Sequence, residues 1–79
     1  MEGFSMIRIT FQKVLTDNAP LTSGEYVSYI ESAGLSTDAK PVTGIATGSL
    51  FLEVDTGDVY AYDEAGGDWG QIAALGGGD

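Results

Sequence analysis

The sequence predicts an α+β domain: an N-terminal strand, one short helix, a long connection and a C-terminal antiparallel β-meander. Three observations carry this expectation. Residues 6–14, MIRITFQKV, alternate apolar and polar with period two. Thr22 and Glu25 stand at the spacing of a capping box, and Gly34 falls where a left-handed C-terminal cap belongs. Residues 49–72, SLFLEVDTGDVYAYDEAGGDWGQI, read as two hairpins in succession.

In chain order, residues 1–5, MEGFS, read as a short disordered extension, with Met6 as an alternative start. In the strand Met6–Val14, Ile7, Ile9 and Phe11 point one way and Arg8, Thr10 and Gln12 the other. Residues 16–24, TDNAPLTSG, hold the common turn residues and form a loop. The helix runs from about Ser23 to Ala33, with Tyr26 and Ile30 four apart and Val27 and Tyr29 nearby. Leu35 to Gly48 has no sustained period and reads as an extended connection, with a short edge strand at Val42–Ile45.

In the first hairpin, DTGD as the loop sets Val54 opposite Val59 and Leu52 opposite Ala61. That aliphatic side, with Leu50, is the expected core. The other side sets Glu53 opposite Tyr60 and Phe51 opposite Tyr62. EAGGD then turns the chain into a short strand, WGQI. The tail AALGGGD is flexible over residues 76–79 by composition.

Seventy-nine residues make a single small domain, residues 1–79, whose core supplies only about 3–5 kcal/mol. The chain has no Cys, which excludes disulfides and thiolate metal sites, and no His, which removes the usual general base. Apolar residues are 43% of the sequence, a globular value. No apolar run approaches a membrane span, and the N-terminus has no signal-peptide pattern, so the expectation is a chain cytosolic where it is made, with no membrane partner. Twelve acids against three bases give a charge of −9, which repels phosphate backbones and argues against direct nucleic-acid binding.

Asp55-Thr56-Gly57 is the tripeptide of aspartic proteases, whose chemistry needs two carboxylates about 3 Å apart sharing a proton. Only 22 residues follow Gly57, too few for a flap and a closing segment, and Asp58 adds charge where the dyad wants apolar cover. The tripeptide reads instead as a hairpin turn. Asp63, Glu64 and Asp68 match no EF-hand spacing. The segment VYAYDEAGGDW also resembles part of a propeller blade, but a propeller needs several copies. No nucleophile–base pair, Walker loop or dinucleotide glycine pattern is present. The expectation is no enzyme, no catalytic residue, no metal and no cofactor.

The stretch ATGSLFLEVDTGDVYAYDEAGGDW resembles a segment of small proteins of tailed bacteriophages and prophages of Firmicutes, and TSGEYVSYIES upstream is similar in flavour. The resemblance covers roughly residues 22–72. It implies a small structural component of the phage particle, head- or tail-associated, a decoration or accessory protein found in the virion and, before assembly, in the host cytoplasm. Its implied partners are other phage structural subunits and further copies of itself. The acidity also fits another class, a phage-encoded inhibitor of a host defence protein that imitates nucleic acid. If the particle reading holds, the second, aromatic sheet face is the expected interface, with Phe51, Tyr60, Tyr62 and Trp69 as contact residues, because such side chains dominate interface energetics. The competing arrangement has the helix on one face and the N-terminal strand or the long connection on the other, leaving nothing exposed.

Overall fold

The computed structural model describes residues 6–75. They form five strands and no helix: β1 (Arg8–Val14), β2 (Ser28–Gly34), β3 (Leu50–Glu53), β4 (Asp58–Asp63) and β5 (Asp68–Ala74). The strands lie in one sheet in the order β1-β2-β3-β4-β5. Neighbours are antiparallel except β2 and β3, which run parallel. The fold is therefore all-β with a mixed sheet, which corrects the α+β expectation. The expected extension at residues 1–5 and the expected flexible tail at 76–79 lie outside the described residues.

The predicted helix is the main correction. From Ser28 onward the chain is extended, with Ile30, Ser32 and Gly34 buried on one side and Tyr29, Glu31 and Ala33 on the other. Tyr26 and Ile30 share helical spacing, but Val, Tyr, Ile and Ser are weak helix formers and most of them suit a pleated surface. Small buried residues carry the pattern: Ser32 Oγ donates to Leu50 O (2.9 Å), and Ile30 N donates to Ser49 Oγ (3.0 Å). Upstream, the capping-box residues belong to a tight turn, where Gly24 N donates to Leu21 O (2.8 Å) with Gly24 at φ +92. Gly34 is no helix cap. It ends β2, where an added Cβ would lie 2.9 Å from Phe51 Cζ.

β1 forms where alternation predicts a strand, but its faces are split by a β-bulge. Ile9 pairs with Ser32 and Phe11 with Glu31, so Thr10 is the extra residue, its Oγ1 donating to Glu31 O (3.0 Å). A bulge switches side-chain orientation. Phe11 therefore leaves the face that holds Ile7 and Ile9. Every residue of β1 is exposed.

The first hairpin turns one residue earlier than DTGD implies. Glu53 pairs with Asp58, Leu52 with Val59, Phe51 with Tyr60 and Leu50 with Ala61, leaving Val54–Gly57 as the loop. Val54 is thereby exposed and does not face Val59. Since every partner moves by two residues, the same side chains still share a face. The second hairpin closes in the same way. Gly57 N donates to Glu53 O (2.7 Å, φ +81) and Gly67 N to Asp63 O (2.8 Å, φ +68), positive angles that glycine adopts without strain. β5 is longer than the expected WGQI and carries its own bulge at Ile72, between Gln71 and Ala73.

Parallel pairing of β2 and β3 needs a crossover, and residues 35–49 supply it without a helix. The expected strand at Val42–Ile45 reduces to a single parallel bridge between Ser28 and Ile45. This crossover lies over the aromatic face of the sheet, and the core forms between them: Ile30, Ile45, Phe51, Tyr62 and Trp69, with Ile7 and Tyr60 packed alongside. The aliphatic face expected to be the core is the other one.

Candidate functional site

The fold brings all four residues of the expected interface together, but as part of the chain's own interior. Phe51, Tyr62 and Trp69 are 0%, 6% and 9% exposed, and Tyr60 is half-buried. Trp69 meets Phe51 and Tyr62 edge-to-face, with centroids 6.0 and 5.2 Å apart. The crossover satisfies their polar ends. Trp69 Nε1 donates to Pro41 O (2.8 Å) and Tyr62 Oη to Val42 O (3.1 Å). Pairing on a period-two pattern placed these rings on one face, but nothing local in the sequence said that residues 35–49 would cover it.

At the margin of the cluster Lys40 Nζ reaches Glu53 Oε2 at 2.6 Å and lies 4.8 Å from the Phe51 ring centre and 4.5 Å from that of Tyr60. Sequence reasoning singled out neither Lys40 nor the acid beneath it. The Lys40 ammonium, bonded to Glu53 and helped by Thr56 Oγ1 (2.9 Å), holds the Glu53 carboxyl below its usual range although desolvation pushes the other way. A shallow groove remains between Lys40, Val42, Tyr60, Asp68 and Trp69. Its cation is already committed to Glu53.

Asp55 is tied down by the chain itself. Its carboxylate accepts from Ser36 N (2.9 Å) and Ser36 Oγ (2.6 Å), and these bonds, the hydroxyl's foremost, hold its pKa low. The hairpin-loop acids also serve backbone. Asp63 accepts from Ala65 N (3.0 Å), Glu64 from Thr47 N (2.8 Å) and Asp68 from Trp69 N (2.7 Å). Among the described residues no three acids stand together where they could hold a metal ion.

The opposite sheet face differs. Tyr29, Ala33, Leu50, Leu52, Val59 and Ala61 lie on it, all half-buried and none fully buried. The fully buried strand residues, from Ile30 to Trp69, all belong to the crossover side. Among the described residues each strand packs only on its ladder neighbours, and no second sheet layer covers this face. An added Cβ at Gly70, on the same face, would meet nothing within 4 Å. At the β1 margin Phe11 and Tyr29 stack edge-to-face at 6.1 Å. Tyr29 Oη donates to Glu31 Oε2 (2.9 Å), which raises the tyrosine's pKa.

Comparison with protein-family models, with curated proteins and with solved structures finds no match to this chain. Among the described residues no helix is long and apolar enough to cross a membrane.

Proposed function

We propose that this chain is a structural protein that acts by protein–protein contact, as a small component of a tailed-phage particle. The observation that supports this reading is the uncovered aliphatic face around Leu50, Leu52, Val59 and Ala61 on a sheet whose other face is closed. A contiguous apolar face on a small domain gains about 25 cal/mol for each Å² that a neighbour covers. The phage setting rests on the resemblance of residues 22–72 described above.

Mass spectrometry of purified particles from a host that carries the sequence tests the assignment. The chain is expected in the particles in many copies. Its absence there, with co-purification of a host nuclease or signalling protein instead, would replace the structural reading with that of an acidic inhibitor.

A further inference from the structure

We infer that the uncovered sheet face is closed by a second copy of this chain, packed face to face about a two-fold axis that runs along the strands. The inference deepens the structural reading above and rests on it. Pairing at the sheet edges is the competing mode, and both outer strands are built against it. β1 carries a bulge at Thr10 and β5 one at Ile72, a device that disrupts edge-to-edge pairing. That leaves the face.

Charge chooses the orientation. β1 bears Arg8 and Lys13 and no acid, whereas the third base, Lys40, is spent on Glu53. At the other margin Asp63 ends β4 and Asp68 begins β5, facing each other across the ladder, while Glu64 in the turn between them is bonded to Thr47 N of the crossover. The ladder places Lys13 and the two aspartates at one end of the sheet, with Arg8 beside Ala33 at the other: Lys13 pairs with Tyr29, two residues from Glu31, and Glu31 shares its row with Leu50, Ala61 and Gly70, two residues from Asp68. Rotation about an axis along the strands keeps that end in place and exchanges the margins. Lys13 of each copy then comes over the acidic β4–β5 end of the other, twice per dimer. Rotation about the perpendicular in-plane axis would set β1 over β1 with its ends exchanged, Lys13 over Arg8, and would carry Asp63 and Asp68 to the far end of the partner's β4 and β5, away from any base of β1. For a chain of charge −9 the first arrangement is the one that brings opposite charges together.

The fit to a sheet is also steric. Sheets pack about 10 Å apart with side chains interdigitating. β2 of one copy comes over β4 of the other, where Ala61 and the neighbouring Gly70 leave room for Glu31, already bonded by Tyr29. The face is small, roughly 400 Å² in projection per copy for five strands about 4.8 Å apart. Two such faces amount to about 800 Å², below the roughly 1,200 Å² at which stable interfaces begin, so the dimer is a weak one and the margin charges matter.

Sedimentation equilibrium on the full chain, with near-ultraviolet circular dichroism as the check on folding, tests this. Wild type is expected as a monomer–dimer equilibrium, and Leu52→Glu as a folded monomer. Lys13→Glu and Asp68→Lys are each expected to weaken the dimer about tenfold, since an exposed pair contributes little but is made twice and changes sign. The double variant Lys13→Glu/Asp68→Lys keeps the net charge of wild type and is expected to recover its affinity. A strengthened dimer in Asp68→Lys, as bulk repulsion alone would give, overturns the orientation. So does failure of the double variant to recover. Wild type that stays monomeric, or a Leu52→Glu chain that still dimerises, overturns the dimer itself, and particle mass spectrometry still decides the structural reading independently.

Discussion

The ammonium of Lys40 lies 2.6 Å from the Glu53 carboxylate and between the Phe51 and Tyr60 rings, linking the crossover to β3 and β4 at once. Glu53 is 4% exposed, so its charge depends on this partner. Lys40→Met is therefore expected to lower the thermal midpoint clearly, by leaving a buried carboxylate unpaired. The paired replacement Lys40→Met/Glu53→Leu is expected to restore much of the loss. Thermal melts of the three chains check this.

Glu53 and Asp55 together set the acid response. Glu53 is shifted down from an ordinary value of 4.5, and Asp55 down from 3.8. A carboxylate with a depressed folded pKa contributes its stability above the unfolded value and loses it as pH falls through the folded one. The midpoint is thus expected to hold on the way down to about pH 4.5 and to fall below it. A Glu53→Gln/Asp55→Asn chain, less stable at neutral pH, is expected to show a shallower acid loss. A parallel loss in both chains would show that other acids set the response.

Two glycines separate the two faces. Gly34→Ala would bring a methyl to 2.9 Å from Phe51 Cζ and 3.0 Å from Ile7 Cγ1. Overpacking of this kind costs about 1–3 kcal/mol. Gly70 has open space around its Cα, so Gly70→Ala is expected to stay within about 0.5 kcal/mol of wild type. Urea unfolding of both variants measures the difference.

Phe51 and Leu52 make the same contrast with large side chains. Phe51→Ala removes a fully buried ring and is expected to cost about 3–5 kcal/mol, as much as a core of this size supplies. Leu52→Ala, on the uncovered face, is expected to cost about 1 kcal/mol in the monomer, part of what full burial contributes. Equal losses would mean that both faces are covered within one chain.

Asp55→Asn is expected to leave the fold in place with a small loss, since Asn retains one acceptor for Ser36. Asp55→Ala and Ser36→Ala are expected to be non-additive, because both remove the bond from the Ser36 hydroxyl, while the Ser36 N–H bond is lost only with Asp55. A peptidase activity abolished by Asp55→Asn would overturn the reading of this tripeptide as a turn.

The sequence by itself determined the strands and turns that rest on local chemistry. Alternation from Leu50 to Asp63, and glycines able to take positive φ at 57 and 67, define the hairpins whatever the rest of the chain does. Period two also decided which side chains share a face, and that survived a turn displaced by one residue. It could not decide which face is the core. Both faces are apolar, and the answer depends on where residues 35–49 lie, a segment without periodicity that the tertiary structure pins through Lys40, Pro41, Val42 and Ile45. β2 was lost to a helix for a related reason. Its inward residues Ser32 and Gly34 carry no hydrophobic signal, and they are buried because Phe51 and the Leu50 carbonyl stand against them from a parallel strand distant in sequence. The bulge at Thr10, which sends Phe11 to the open face, likewise belongs to the pairing of two strands and not to either one.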